Sequence, residues 1–501
     1  TGASTVGGGI LVTAGVGANL STITGGTLAG SSGRDLVVIQ NNTAAGLTIS
    51  STIVNNTSAT ALTKSGPGLL TLAASNSYTG GTRLNDGTLS FVNGGLGASG
   101  NLTLAGGTLQ WATGNTQDIS SRIALVPGGV ATLDTNGNSF TLATTIGSSA
   151  AAQFVKVGSG ALIVTTNNTG GLTVNAGRVY LNGFANDPNN TITINSGGEL
   201  DLGGSYAVTG IGATAPVPVM PIVINQGGLL IKSGVYNSSG ANPPLGPLTL
   251  VGGEYRVGAI GYSKAPFALN GTVTVRGDTT SVISNPGAWV NESLWIPLGS
   301  GNVSNWYDST FTVTFDVADG LAPIDLLVSG SGRSALGDGV LTDALNVSTR
   351  TSNLVKTGAG TMVLSSTNSY TGITRIDAGT FQLGIGSTFG SIASSAGVVG
   401  GANTMLVFNR SDNYGGSYGM PISGQLGVSQ IGSGTLVLTG NNTYSGTTSL
   451  NAGTLQIGAG GTVGSIAGSA AVTGSTGATL AFNRSDNYGG SYGMPMIGGG
   501  I

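Results

Sequence analysis

The chain has 501 residues, of which 91 are glycine, 39% are hydrophobic and only 7% are charged, with a formal net charge of −3. It contains neither cysteine nor histidine, which excludes disulfides, thiol chemistry, a Ser-His-Asp triad and imidazole-ligated zinc. Disorder usually needs low hydrophobicity and high net charge, so this composition predicts an ordered chain with a buried core. Gly, Thr, Ser, Asn and Val are poor helix formers, and short strands joined by tight turns are expected instead.

A phrase of two strands and two turns first appears at residues 64–91, with Asn76, Tyr78 and Gly80 between its strands. A shorter copy begins at Lys156 and lacks the tyrosine. Two later copies keep the asparagine, tyrosine and glycine at the same offsets: Lys356 with Asn368, Tyr370 and Gly372, and Gln430 with Asn442, Tyr444 and Gly446. Four copies with fixed spacing indicate a molecule built by stacking similar units.

Between these copies, alternating apolar residues surround Gly-Gly turns, as at residues 102–109, 192–202, 223–231 and 248–257. The alternation places Leu, Ile and Val on one face of a strand. Either hairpin-built sandwiches or a parallel β-solenoid could use such strands, and the solenoid is favoured because it pairs each strand with its equivalent one coil later. It predicts an all-β fold of about 20–25 coils, with equivalent side chains stacked in columns. The asparagines at 76, 168, 368 and 442 are expected in turns, with left-handed backbone angles.

Residues 254–345 break this pattern, and divide the chain into a degenerate solenoid at 1–253, an irregular or longer-looped segment, and a tandem-repeat solenoid at 346–501. The middle segment holds Trp289, Trp295 and Trp306. It also carries an acidic cluster, which is either a set of solvent-facing side chains or a carboxylate site for sugar chemistry or a hard cation: Asp308, Asp316, Asp319 and Asp325.

The 14-residue segment at 408–421 recurs letter for letter at 482–495, at the same offset that separates Gln430 from Lys356 (430 − 356 = 74). Because the second copy is soon followed by residue 501 in mid-pattern, the array is expected to continue beyond it. Within the segment, Arg410 with Asp412 and Arg484 with Asp486 are interpreted as exposed turns with a local ion pair, rather than as repeated ligand or calcium sites.

The phrase at 354–383, with its copies at 64–91 and 428–457, resembles the autotransporter-associated β-strand repeat. This passenger-associated repeat occurs in bacterial autotransporter passengers and large surface proteins. The resemblance implies a right-handed parallel β-helix, export across a Gram-negative envelope, and a secreted or cell-surface location.

These features predict a non-catalytic structural protein, an elongated fibre, stalk or filament component, without cofactor, catalytic residues or metal site. The alternatives are a carbohydrate- or cell-binding adhesin passenger and, less favoured, a polysaccharide-degrading enzyme. Expected partners are further copies of the chain, other surface proteins or glycans. Nucleic acid is disfavoured by 16 basic against 19 acidic residues, and no apolar run approaches the roughly 20 residues that span a bilayer. The residues predicted for recognition are aromatic: Trp289, Trp295, Trp306, Tyr414, Tyr418, Tyr488 and Tyr492.

Overall fold

The computed structural model describes fifteen stretches of the chain: residues 9–31, 33–126, 128–146, 153–166, 170–181, 189–202, 220–232, 245–257, 268–285, 296–299, 310–330, 340–343, 351–415, 419–488 and 495–498. The chain divides into two compact units. Unit 1 comprises Thr1–Val208 with Val217–Pro221, and unit 2 comprises Thr209–Pro216 with Ile222–Ile501. The helical residues described are the two single 3₁₀ turns Ala14–Val16 and Ser120–Arg122, and neither is long or apolar enough to cross a membrane.

The described strands of unit 1 are short: β1 (Ile10–Val12), β2 (Ser21–Ile23), β3 (Thr27–Leu28), β4 (Leu36–Gln40), β5 (Leu47–Ile49), β6 (Thr52–Ile53), β7 (Leu62–Ser65), β8 (Leu69–Leu72), β9 (Thr82–Leu84), β10 (Thr88–Phe91), β11 (Leu102–Leu104), β12 (Thr108–Trp111), β13 (Ile123–Leu125), β14 (Val130–Asp134), β15 (Phe140–Leu142), β16 (Gln153–Val157), β17 (Ala161–Val164), β18 (Gly171–Val174), β19 (Gly177–Leu181), β20 (Ile192–Ile194) and β21 (Gly198–Asp201).

Unit 2 has strands of similar length: β22 (Ile222–Asn225), β23 (Leu229–Lys232), β24 (Leu248–Val251), β25 (Glu254–Val257), β26 (Gly271–Arg276), β27 (Ser281–Asn285), β28 (Ile296–Leu298), β29 (Thr310–Val317), β30 (Leu326–Gly330), β31 (Leu341–Asp343), β32 (Thr351–Thr357), β33 (Thr361–Leu364), β34 (Ile373–Ile376), β35 (Thr380–Ser387), β36 (Gly397–Gly400), β37 (Met405–Arg410), β38 (Asn413–Tyr414), β39 (Ile422–Gly424), β40 (Gly427–Gln430), β41 (Thr435–Leu438), β42 (Thr448–Leu450), β43 (Thr454–Ile457), β44 (Val472–Gly474), β45 (Thr479–Phe482) and β46 (Met496–Ile497).

Each unit is a right-handed parallel β-helix, in which a strand pairs with the corresponding strands one coil before and after it. In unit 1 the first sheet joins β1, β4, β7, β9, β11 and β13, the second joins β2, β5, β8, β10, β12, β14, β16, β18 and β20, and the third joins β15, β17, β19 and β21. In unit 2 the first sheet joins β22, β24, β26, β29, β32, β34, β36 and β39, the second runs from β23 through β40 to β46, and the third joins β38, β41, β43 and β45. The predicted solenoid is therefore confirmed over the hairpin sandwich.

The core lies inside the coils, where the alternating apolar residues stack in register. Leu89 pairs with Leu109 and Phe91 pairs with Trp111, all fully buried. The rings of Phe91 and Trp111 lie 5.2 Å apart, and the ring of Phe140 stacks on Trp111 at 4.2 Å. Each buried aliphatic or aromatic side chain stabilises the stack by about 1.5–3 kcal/mol, so that many short coils together hold the fold.

The repeat copies lie on successive sheets. In unit 1, Lys64 is on β7 of the first sheet and Lys156 is on β16 of the second. In unit 2, Lys356 is on β32 of the first sheet and Gln430 is on β40 of the second. The coil formed by β36, β37 and β38 has three strands. The repeat from Lys356 to Gln430 therefore covers three whole coils and one additional strand, β39. Equivalent residues of neighbouring coils stack in columns as predicted, as Leu89 does on Leu109, but the phrase copies do not stack on one another, because Lys356 and Gln430 lie on different sheets.

The described strands of the 254–345 segment take positions in the β-helix of unit 2. Val273 pairs with Phe315 and Val282 pairs with Leu327, both in parallel register. The connections that would distinguish the segment lie at 258–267, 286–295, 300–309 and 331–339, outside the described residues. Its longer-looped character stays a prediction.

Candidate functional site

A buried asparagine ties three successive coils together in each full copy of the repeat phrase. The side-chain oxygen of Asn76 accepts a hydrogen bond from the backbone N–H of Ile53 in the preceding coil (2.7 Å), and its side-chain nitrogen donates to the carbonyl of Gly95 in the following coil (2.6 Å). The other two described copies bond in the same way: Asn368 with Leu341 and Ser391, and Asn442 with Ile422 and Ser465.

The left-handed backbone predicted for these asparagines is wrong at 76, 368 and 442. The described non-glycine residues with positive φ are Thr57, Asn136 and Asn403. The asparagine of each phrase contributes its side-chain amide, whose oxygen accepts a hydrogen bond and whose nitrogen donates one across the stack. Residue 168 lies outside the described residues.

A buried tyrosine packs inside each full copy of the phrase. The hydroxyl of Tyr78 hydrogen-bonds to the hydroxyl of Thr82 at 2.6 Å, and Tyr370 and Tyr444 make the same contact, at 2.7 Å, with the threonine four residues later. All three side chains are fully buried. Burial raises the pKa of Tyr78 to about 12. These rings belong to the core and present no face to a ligand.

Three buried lysines each tie a turn to the next coil. The Nζ of Lys356 donates to the carbonyls of Thr357 (3.0 Å) and Gly358 (2.7 Å) in its own turn, and to that of Ala378 (3.0 Å) in the next coil. The other two make equivalent contacts: Lys64 with Ser65, Gly66 and Asp86, and Lys156 with Val157, Gly158 and Ala176. Burial lowers the pKa of each lysine to about 8, against the smaller opposing effect of nearby aspartates. The three carbonyls accept from the three N–H groups of the ammonium. A charged lysine can therefore be buried in this corner.

An arginine of the following coil closes the Gly-rich loop at 384–390. The Nη1 of Arg410 donates to the carbonyl of Gly390 (2.7 Å), and Nη2 donates to that of Thr388. Asp412 accepts two hydrogen bonds from the same guanidinium (2.9 and 2.7 Å), and the Tyr414 ring centre lies 4.6 Å from the guanidinium carbon. The predicted ion pair is present and Ser411 and Asn413 of the turn are exposed as expected, but the Arg410 side chain itself is buried, with only 9% exposed.

Arginine side chains donate to the carbonyls of a loop in the preceding coil at one further place in each unit. In unit 2, Arg484 donates to the carbonyls of Gly464 and Thr462 and pairs with Asp486, whose pKa it lowers. In unit 1, Arg122 donates to four carbonyls of one loop, at Leu96, Gly97, Ser99 and Gly100. Arginine thus holds irregular corners between coils, a role for which its several donors in a planar fork are suited.

Of the seven aromatic residues predicted for recognition, the structure describes Tyr414 and Tyr488. Tyr414 is 6% exposed, and its hydroxyl accepts a hydrogen bond from the backbone N–H of Ile392 (3.1 Å). Tyr488 is partly exposed and accepts the equivalent bond from Ile466 (2.9 Å). Both tyrosines are therefore engaged in holding a corner. The remaining five lie outside the described residues: Trp289, Trp295, Trp306, Tyr418 and Tyr492.

The acidic cluster of the 254–345 segment is held by separate partners. Asp316 pairs with Arg276, which lowers the pKa of that carboxyl. Asp325 is buried and accepts hydrogen bonds from the backbone N–H groups of Gly320 (2.8 Å) and Thr361 (2.7 Å). Asp319 is exposed, and residue 308 lies outside the described residues. Among the described residues, no group of three or more acidic side chains is placed to hold a metal ion.

Sequence reasoning missed the lysine and arginine corners. The lysine was visible as the first residue of three phrase copies, at 64, 156 and 356, but a charged residue is almost never fully buried unless it is paired. Arg122 lies outside any repeat copy, so no pattern in the sequence could have indicated its four carbonyl partners.

The fold and these contacts define a class of protein: a coil-repeat scaffold whose recurring polar side chains bind neighbouring coils. The Passenger-associated-transport-repeat family model matches the chain at residues 62–91, 154–181, 354–383 and 428–457. The chain is also 30% identical, over 93% of its own length, to the protein named "Adhesin BmaC autotransporter" of Brucella suis biovar 1 (strain 1330). It spans 18% of the length of that relative. No solved structure matches the chain.

The chain carries four passenger-associated-transport repeats, and these repeats and the parallel β-helix are those of an autotransporter passenger. Its location is accordingly outside a Gram-negative bacterium, secreted or at the cell surface.

Proposed function

We propose that this chain is a non-catalytic structural segment of a surface passenger, a β-helical stalk that holds other parts of a longer protein away from the cell. The observation that supports this most directly is the asparagine tie, in which one side chain bonds the coils before and after its own at Asn76, Asn368 and Asn442. The recurring polar residues of the phrase bond one coil to the next inside the stack, which stabilises a scaffold and leaves these side chains unavailable to a ligand.

Negative-stain electron microscopy of the purified chain tests the proposal. A structural stalk gives thin particles of uniform width, and compact or irregular particles contradict it. Light scattering at high concentration separates the two forms of the proposal: growing fibres indicate self-assembly, and a constant monomer mass indicates a stalk that does not assemble.

A second candidate is an adhesin passenger, favoured by the similarity to the Brucella protein named as an adhesin and by the tryptophans of the 254–345 segment. Tryptophan is enriched among the residues that contribute most to binding. Binding of the chain to a glycan array and to host cells is compared with that of a variant carrying Trp289→Ser, Trp295→Ser and Trp306→Ser. An adhesin loses binding in the variant, whereas a stalk binds in neither form.

Polysaccharide cleavage is the least favoured candidate, because Asp316 is already paired with Arg276. If the chain degrades any polysaccharide, the variants Asp316→Ala and Asp319→Ala decide whether these carboxylates take part. Activity that is unchanged in both excludes them.

A further inference from the structure

The fourth copy of the repeat phrase lacks the lysine tie to the next coil. In this copy the lysine is replaced by Gln430, whose side-chain nitrogen donates to the carbonyls of Gly432 (2.9 Å) and Gly434 (3.1 Å). Both acceptors belong to its own turn. In the Lys356 copy, by contrast, the third N–H reaches Ala378 across the coil boundary.

The Gln430 corner also contains an unsatisfied group. Gln430 is 3% exposed, and its side-chain oxygen is buried without a hydrogen-bond partner. A buried acceptor without a donor destabilises the closed state relative to a state in which water reaches it. When this corner opens locally, water can donate a hydrogen bond to the Gln430 side-chain oxygen. When a lysine corner opens, the hydrogen bond from the lysine to the next coil is lost instead.

The asparagine and tyrosine bonds of the phrase are retained, while at the corner itself the Gln430 carbonyl also accepts a longer bond from Ala452 (3.3 Å) and the Asn451 side chain donates to Ser429 (3.3 Å). Asn442 and Tyr444 keep the bonds made by Asn368 and Tyr370. The backbone carbonyl of Gln430 accepts from Asn451 at 2.8 Å, as the carbonyl of Lys356 accepts from Asp377 at 2.8 Å.

We infer that the Gln430 corner is a built-in opening point of the 74-residue repeat, where residues 430–434 separate from 451–453 before the corresponding residues at Lys356 separate. Opening free energies differ along a structure, and a corner that lacks a charge-assisted tie and buries an unsatisfied acceptor is expected to open before one that has the tie. Such a point lets one coil boundary yield under load while the neighbouring coils stay closed. The inference goes beyond the proposed function, since it holds whatever the passenger binds.

Hydrogen exchange measured by mass spectrometry on the whole chain tests the inference. In the wild type, amides at 448–457 are expected to exchange faster than those at 374–383. Gln430→Lys restores the tie and slows exchange at 448–457 by about tenfold, the effect of one charge-assisted hydrogen bond. Gln430→Met, the control, removes the donor and the unsatisfied acceptor together without restoring the tie, so exchange at 448–457 should stay faster than in Gln430→Lys.

The reciprocal variant removes the influence of position along the chain. Lys356→Gln is expected to speed exchange at 374–383 by about tenfold while 448–457 stays unchanged. Equal exchange at the two sites in the wild type, or no response to either substitution, overturns the inference. If Gln430→Lys does not fold by circular dichroism, Lys356→Gln alone decides, and unchanged protection at 374–383 overturns it.

Discussion

Tyr255 differs from the phrase tyrosines, because its hydroxyl is fully buried without a hydrogen-bond partner. Tyr255→Phe removes an unsatisfied group, so the free energy of unfolding should stay unchanged or rise by up to about 1 kcal/mol. Tyr370→Phe is the matched control. It breaks the bond to Thr374 and should lower that free energy by about 1 kcal/mol. Denaturant unfolding followed by circular dichroism compares the two, and equal losses would show that the Tyr255 hydroxyl is satisfied.

The buried lysines make the free energy of unfolding depend on pH in the alkaline range. The pKa of Lys356 is about 8 in the folded chain, below its usual value of 10.5, because burial disfavours the ammonium. Between these values the unfolded chain binds more protons than the folded chain, so the unfolding free energy rises with pH there and is flat below about 8. Relative to Lys356→Gln, the wild type should gain melting temperature from pH 8 to 10.5. A constant difference across that range would mean that the pKa is not lowered.

At the residue scale the sequence identified which side chains recur but not what they bond. Spacing alone showed that Asn76 and its copies occupy one position of the phrase. It could not show that both partners of Asn76 belong to other coils, because the coil length on either side varies. The burial of Arg410 was missed for the same reason, since its acceptors at Thr388 and Gly390 come from the preceding coil.

The turns between strands depend on glycine where coils approach closely. At Gly379 the backbone has φ +69°, and a Cβ there would lie 2.5 Å from the carbonyl oxygen of Gly360 and 2.6 Å from that of Ala359. Gly379→Ala is therefore strained in backbone and contact alike, and should lower the unfolding free energy by at least about 1–3 kcal/mol. Gly461→Ala, with open space around its Cβ position, is the control and should be tolerated. Thermal unfolding measures both, and equal stability of the two variants would contradict the close packing at Gly379.

At the element scale, alternation was a sufficient signal for the strands. Leu102 and Leu104 are buried on either side of an outward threonine, as the pattern predicted. Pairing was harder to predict, because an alternating strand can join a hairpin or a parallel stack. The fixed spacing of the four phrase copies favoured the parallel arrangement, which every pairing between described strands adopts.

At the scale of the whole molecule, the sequence predicted a β-helix built from repeats. It did not predict this turning of the repeat, in which successive copies lie on different sheets of the β-helix. One three-strand coil per repeat is enough to move the phrase from the first sheet at Lys356 to the second at Gln430. Coil length sets this shift, and the third strand, Asn413–Tyr414, is too short to be recognised as a strand in the sequence.

This turning can be measured with spin labels, because the chain has no cysteine of its own. Labels at Ser411→Cys and Ser485→Cys occupy equivalent exposed positions of the two copies. The control pair, Thr314→Cys and Val399→Cys, lies in one column three strands apart, which corresponds to about 15 Å. Double electron–electron resonance should give a clearly longer distance for the first pair, since its labels lie on different faces as well as different coils. If both pairs gave the same distance, the copies would share one face, and the shift between sheets would be wrong.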